Sequence, residues 1–402
     1  MRPSVLTIAA AIVLAFWIAL AFDRRRAWPS ARASLRGAPG PNPLPAAPAS
    51  VLVVIPARNE AESLVATLPA IGAQAATFQA LVVVDDRSTD GTREVAEAFA
   101  ARSSSPEKYL VVPAEPLPEG WSGKLHALES GLRAAAKLSP AAGSSEWILF
   151  TDADIHHPPD SIAWLLARAA SENRDLVSVM VRLRAKSFWE KLLVPPFVWF
   201  FQLLYPFRRV ADSRSRVAAA AGGCVLVRRS VLERAGGLAA IRGAIIDDVS
   251  LARRIKAAGG RLWLGLDPEM LSLRAYEGYR DVERMVARTA FDQLEYRLSL
   301  VLGTYVFLGA FFVSPPLLLV AAALAGNAAA ALAAGAAWAI QCWLFGPAVR
   351  HQQVHGAFAA TLPLASLLYA HMTGVSAWRH VTRRGVEWRG RTLAGGAARR
   401  AT

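Results

Sequence analysis

Trp147-Ile148-Leu149-Phe150-Thr151-Asp152-Ala153-Asp154 is an apolar run of strand length that ends in two carboxylates one residue apart. Side chains alternate along an extended chain, so Asp152 and Asp154 share one face where a buried strand meets solvent. In open α/β sheets that edge is where ligands bind. Hard carboxylate oxygens held there suit Mg²⁺ or Mn²⁺, and such an ion commonly brings a phosphate with it. The same residues can also be read as the approach to a helix, because Asp160 and Ser161 follow and Asp is frequent at helix N-caps.

Upstream, Val51-Leu52-Val53-Val54-Ile55-Pro56 is a β-branched run stopped by proline, and Arg58-Asn59-Glu60 leads into a helical pattern through about Ile71. Ala80-Leu81-Val82-Val83-Val84-Asp85-Asp86 repeats the plan, and Asp90 in Asp90-Gly91-Thr92 is expected to cap the next helix. Tyr109 to Val112 reads as a third strand and Trp147 to Thr151 as a fourth. Strands and helices alternating at this rhythm predict a doubly wound α/β domain. Asp85, Asp86, Asp152 and Asp154 then crowd one sheet edge, where unpartnered carboxylates repel one another. Either a cation gathers them or separate ligand groups engage each pair. Asp85 or Asp86 suits a ribose hydroxyl or a base N–H, with a capped turn as the alternative.

Downstream, Gly120-Trp121-Ser122-Gly123-Lys124 places an ammonium at the apparent start of a helix, where backbone and side chain both attract phosphate. The spacing is not that of a Walker A loop. His126 lacks a histidine partner at helical spacing and reads as packing. Ala221-Gly222-Gly223-Cys224-Val225-Leu226-Val227 is a glycine-led strand followed by a short helix to Ala235. Ile245-Ile246-Asp247-Asp248 then opens a helix that runs to Ala258, and its dipole favours both acids as anions. Asp247 suffices as the cap, which leaves Asp248 able to accept a proton from an attacking hydroxyl.

The chain has 402 residues, 54% of them hydrophobic, and its mean hydropathy is +0.30. That is too apolar for an ordinary soluble enzyme and too charged for a protein lying wholly in a membrane. Val5 to Phe22 is an apolar run of 18 residues followed directly by Asp23-Arg24-Arg25-Arg26. The arginines lie on the wrong side for a cleaved signal peptide, so the run is expected to be an anchor with residue 23 onward in the cytoplasm. Pro29, Pro39, Pro41, Pro43, Pro45 and Pro48 mark a semi-rigid linker. Leu298 to Ala325, Ala328 to Gly346 and Ala357 to Trp378 are long enough to span a bilayer. Phe188 to Phe207, interrupted by Pro195-Pro196, reads as an interfacial element.

The formal net charge of +14 is concentrated beside apolar segments, at Arg24 to Arg26, Arg208 to Arg216 and Arg379 to Arg400. That placement favours anionic lipid over nucleic acid, for which no module is present. Two cysteines, Cys224 and Cys342, exclude a disulfide framework and a cysteine metal site. Three spans after a cytoplasmic start would leave the arginine-rich tail outside, against the positive-inside rule. One block is therefore expected to be re-entrant, around Ser314-Pro315-Pro316 or from Asn327 to Ala337.

Taken in order, Val-Ile-Pro-Ala-Arg-Asn-Glu, Val-Asp-Asp-Arg-Ser-Thr-Asp-Gly-Thr, Gly-Lys-x-x-Ala-Leu, Asp-Ala-Asp, Gly-Gly and Asp-Asp-x-x-Leu resemble family 2 glycosyltransferases of the GT-A fold over about residues 51 to 260. With the anchor, the C-terminal apolar blocks and Trp388-Arg389-Gly390-Arg391, the whole chain looks most like the hopanoid-associated members of the HpnB type. The resemblance implies a GT-A domain over 51–297, with an interfacial element at about 187–208. It would be flanked by an anchor at 1–23, a linker at 24–50, membrane segments at 298–378 and a basic tail at 379–402. It implies that Pro56, Arg58, Glu60, Asp85 and Asp86 line a nucleotide pocket, with Lys124 near the donor. Asp152 and Asp154 would hold Mg²⁺ or Mn²⁺ on a diphosphate, and Asp248 would be the general base. Asp247 departs from the family's glutamate by one methylene. Gln293-Leu294-Glu295-Tyr296-Arg297 departs from the Gln-x-x-Arg-Trp of processive members.

The implied protein is a multi-pass enzyme of the inner (plasma) membrane with its catalytic domain in the cytoplasm. It would use a nucleotide-sugar donor, with a lean to uridine, and a lipid acceptor in one non-processive, inverting displacement. A non-catalytic lipid-binding scaffold and a nucleotidyltransferase are the competing readings. The intact acids oppose the first, and the second lacks its glycine-rich basic signature near the first strand.

Overall fold

Continuous Val, Leu and Ile runs place the first strands at the centre of an eight-stranded sheet with order β3-β2-β1-β4-β7-β6-β8-β5. The strands are β1 (Val51–Ala57), β2 (Ala80–Asp85), β3 (Tyr109–Pro113), β4 (Trp147–Thr151), β5 (Ile155–His156), β6 (Leu176–Arg182), β7 (Cys224–Arg228) and β8 (Leu262–Ser272). The computed structural model describes residues 4–27, 50–382, 386–388 and 391–393. The expected linker and most of the basic tail lie outside the described residues.

β3, β2, β1 and β4 are all parallel, as the alternating rhythm requires. The rest of the sheet is mixed, because β7 runs antiparallel to both β4 and β6. Sequence reading also passed over β6 and β8. In β8, Gly265, Asp267 and Pro268 interrupt the apolar pattern, and the ladder slips so that Val181 faces Asp267 but Arg182 faces Leu271. The Arg182 Nε–H donates to the Pro268 carbonyl at 2.8 Å across that irregularity.

Alternation sorts the strand residues onto two buried faces. Leu52, Val54, Val82, Val84, Ile148 and Phe150 pack beneath the Gly123–Leu138 helix. Val51, Val53, Ile55, Leu81, Val83 and Leu149 face the Ala61–Gly72 and Ser161–Ser171 helices. Each fully buried side chain of this size contributes about 1.5–3 kcal/mol. At Gly131 a Cβ would lie 2.7 Å from Val54 and 2.8 Å from Val84, so glycine lets that helix sit close on the sheet.

Helices long and apolar enough to cross a membrane occur at Val5–Asp23, Leu298–Leu324, Ala328–His351 and Gly356–Val381. Both regions expected to be re-entrant are helical, and the chain reverses between them at Gly326-Asn327. The chain passes through Ser314-Pro315-Pro316 as helix after a π-helical stretch at Leu308–Val313, and Ala328–His351 is regular. Pro195-Pro196 does not break its segment either, because Phe188–Leu204 is one helix. The two prolines withhold N–H groups from the preceding turn, but close packing on both sides holds the helix together. Trp199 sits with Trp17, Phe312 and Phe345 on one side, and Leu192 and Leu193 sit with Val282, Val286 and Tyr369 on the other.

Candidate active site

The parallel strands end together, and the loops beyond them collect most of the residues singled out above. Pro56, Lys124, Asp152, Gly222, Asp247 and Asp248 line one pocket at this edge. Ser122 caps the Gly123–Leu138 helix by accepting the Leu125 N–H at 3.4 Å, which fixes Lys124 in the first turn. Lys124 Nζ lies 2.7 Å from Asp152 Oδ1 and 3.5 Å from Asp247 Oδ2. Burial opposes the charged ammonium, but Asp152 and Asp247 outweigh it and push the Lys124 pKa up.

Asp247 is not the cap of its helix. Ile246 occupies the cap position, and both acids stand in the first turn. Asp248 Oδ2 accepts the Gly222 N–H at 2.8 Å, and Oδ1 accepts the Val249 N–H at 2.7 Å. Burial and the adjacent Asp247 charge nevertheless raise the Asp248 pKa to about 7, against the opposing pull of Lys124 and the two backbone N–H groups. That value suits a proton acceptor near neutral pH. A Cβ at position 222 would come within 3.2 Å of Lys124 Nζ and 3.3 Å of Asp248 Oδ2, so glycine keeps room between carboxylate and ammonium.

The other sequence candidates form two adjoining groups. Arg58 donates to the Asp86 carbonyl at 2.7 Å and stands 3.9 Å from its carboxylate, while Asp85 Oδ1 accepts the Ser88 N–H at 3.1 Å. Glu60, on the adjoining loop, accepts the Arg274 guanidinium at 2.6 Å. Arg274 Nε is also 3.6 Å from Asp154 Oδ2, which takes the Ser272 hydroxyl. Asp90 does not cap the following helix, whose cap is Gly91 in the left-handed region at φ +85°. Its carboxylate instead accepts the Ala61 and Thr92 N–H groups, each at 3.1 Å.

Gly222, Ser272 and Arg274 contact the candidate acids directly, and sequence reasoning gave none of them a place in the site. Arg274 follows β8, the strand hidden by its own irregularity. Gly222 carried a signal in its Gly-Gly pair, which was read as the start of a strand and as one motif of the resemblance but was given no role of its own.

Among the described residues no three His, Cys, Asp or Glu side chains converge as a ready-made metal cage. Asp152 and Asp154 still fit Mg²⁺ or Mn²⁺, since these ions are commonly held by one or two carboxylates while phosphate and water complete the shell. Asp152 is the more open of the two, with its side chain 33% exposed against 6% for Asp154.

A sheet edge that gathers an acid of near-neutral pKa, an ammonium and paired carboxylates lies where open α/β sheets bind their ligands. Residues 48–290 match the model of the family described as Glycosyltransferase like family 2, and the chain belongs to that family. Its fold is similar to that of the mannosyltransferase PcManGT from Pyrobaculum calidifontis, solved in complex with GDP-Man and Mn²⁺. The two are 22% identical with a TM-score of 0.52, over 90% of this chain and 99% of that one. An uncharacterized protein of Methanocaldococcus jannaschii, MJ0544, is 31% identical over 127 residues, which are 32% of this chain and 50% of that protein. The chain thus spans about half the length of this curated relative.

Proposed function

We propose that this chain is a membrane-bound, inverting, non-processive glycosyltransferase that moves a sugar from a nucleotide-sugar donor to a lipid hydroxyl. The observation that carries the reading is Asp248, a half-buried carboxylate near neutral pKa that stands across Gly222 from Lys124 and lines the same pocket as Asp152. In one displacement, Asp248 takes the proton of the acceptor hydroxyl as its oxygen bonds to the anomeric carbon. The bond from that carbon to the diphosphate oxygen breaks, the nucleoside diphosphate leaves, and configuration inverts. Lys124 offsets negative charge on the departing diphosphate, and Asp247 holds the ammonium in place. Pro56, Arg58, Glu60, Asp85 and Asp86 would border the nucleoside. Asp152 and Asp154 would hold Mg²⁺ or Mn²⁺, which when bound supplies positive charge to the diphosphate.

The lipid acceptor is supported by the Phe188–Leu204 helix. Its buried Glu190 accepts the backbone N–H of Tyr276 at 2.8 Å, on the same loop that carries Arg274. The site loop and the apolar helices are therefore tied together. Hopanoid alcohols are the first acceptors to test, on the strength of the resemblance of the whole chain. Uridine is the first donor base to test.

The test uses detergent-purified protein with Mn²⁺, a panel of UDP- and GDP-sugars and a lipid extract containing hopanoids. Release of nucleoside diphosphate rather than pyrophosphate, with sugar label passing into lipid, is the expected result. Asp248→Asn should keep donor binding and lose about 10²- to 10⁴-fold in transfer, the usual contribution of a general base. Unchanged transfer by that variant would overturn the assignment.

A further inference from the structure

The apolar helices pair in an order that assigns them to different levels. At one end, Asn327 Nδ2 donates to Ser4 Oγ at 2.7 Å and to Thr7 Oγ1 at 3.0 Å. Ala10, Ala322, Ala330 and Ala334 pack just inside that end. Further in, Trp17 Nε1 donates to the Phe311 carbonyl at 2.8 Å, and Gln341 Nε2 donates to the Phe312 carbonyl at 3.0 Å. Three helices therefore run side by side from the Asn327 turn to the Phe311 level. A crossing of about 18 residues covers roughly 27 Å, which is close to the hydrocarbon thickness of a bilayer. Counted from the Asn327 turn, that length is used up near Phe22, Phe307 and Phe345.

Gly356–Val381 starts about one turn inside this level, beside Leu308–Val313, and its second half lies beyond it. Its start packs against Leu308 and Phe312 through Leu362 and Ala370, the ring of Tyr305 lies against Gly374, and Ala377 packs on Val301. It thus runs back beside the half of Leu298–Leu324 that joins the glycosyltransferase domain. Its other neighbour is Tyr279–Gln293, a helix that carries Arg280, Asp281, Glu283, Arg284, Arg288 and Asp292. His371 Nδ1 is 2.7 Å from the Tyr279 hydroxyl, Arg379 donates to Glu283 at 2.7 Å, and Ser376 Oγ accepts the Phe291 N–H at 3.1 Å. A helix paired along its length with one this charged cannot sit with it in hydrocarbon.

We propose that the chain crosses the membrane three times, through Val5–Asp23, Leu298–Leu324 and Ala328–His351, and that Gly356–Val381 is a membrane-surface collar on the side of the glycosyltransferase domain. Leu364, Leu367, Trp378 and Val381 form its exposed apolar stripe, and the occupant of that stripe is the adjoining lipid leaflet. Continuity with the spanning bundle argues for lipid, as does charge. Arg383, Arg384, Arg389, Arg391, Arg399 and Arg400 then lie on the same side as Arg24 to Arg26, where the positive-inside rule places both groups. The conflict of three C-terminal spans disappears, and the odd block is the last one. The inference does not depend on sugar transfer.

Two measurements on the full chain test it. With a reporter fused after Thr402, green fluorescence and no exported alkaline phosphatase activity are expected, and active phosphatase overturns the proposal. In a Cys224→Ala, Cys342→Ala background, Thr382→Cys, at the exposed end of the helix and outside the stripe, should react with a membrane-impermeant maleimide in inside-out vesicles and not in intact cells. Labelling from the outer face overturns the proposal even if the fusion is unstable.

Discussion

Asp248 combines two opposite consequences of one raised pKa. As a base it works only when ionised, so kcat/KM for transfer should climb about tenfold per pH unit below about 7 and level off above it. The folded-state value lies above the ordinary 3.8, so the neutral acid is the form the fold prefers. Its contribution to stability is complete below 3.8 and is lost as pH rises toward about 7. Activity and this part of stability therefore move in opposite directions, and Asp248→Asn should abolish both dependences. A profile that stays flat from about pH 5 to 9 would remove Asp248 from the role of base. Legibility at this scale follows chain distance. Asp152, Asp154, Asp247 and Asp248 announce themselves as local pairs beside apolar runs. The Arg274 contacts with Glu60 and Asp154 join residues far apart in the chain, and no local pattern encodes them.

At the scale of elements, β1, β2 and β4 were readable because each is a continuous apolar run buried on both faces. β6 and β8 escaped notice because β8 is interrupted at Gly265, Asp267 and Pro268. Pro195-Pro196 misled in the other direction, since local propensity forecasts a break that tertiary packing overrides. The Phe188–Leu204 helix begins at a capping box in which Ser187 and Glu190 bond each other's backbone N–H groups. Glu190, fully buried, also accepts Arg184 at 2.7 Å, Lys186 N–H at 2.7 Å and Tyr276 N–H at 2.8 Å. Glu190→Gln keeps the shape but removes the charge that answers Arg184, and turns an amide N–H toward these donors. A loss of about 3 kcal/mol is expected, as for breaking a buried ion pair. Thermal unfolding in detergent measures it, and an unchanged midpoint would show that Glu190 does not anchor this helix to the loop.

For the whole molecule, the two sheet-face cores draw only on residues between Val51 and Met270, so the α/β domain carries its own interior. Its membrane side is different. Leu192, Leu193, Val282 and Val286 are buried together with Ala365, Tyr369 and Met372, and the Tyr369 hydroxyl donates to the Leu193 carbonyl at 2.7 Å. Hydropathy rises after about residue 297, but the sharing of this layer was not legible from it, because hydropathy cannot tell a lipid-facing leucine from one covered by another helix. A fragment of residues 48–297 lacks that cover and should expose a contiguous apolar face, the kind of patch that drives association. It should keep its α/β circular dichroism yet elute as aggregates without detergent, and become monodisperse when detergent coats the face. Replacing Leu193 and Val286 together by Ser or Thr should shift it toward monomer without touching the sheet core. A native fragment that is monodisperse in plain buffer would mean that the face closes by itself and that Gly356–Val381 only rests on it.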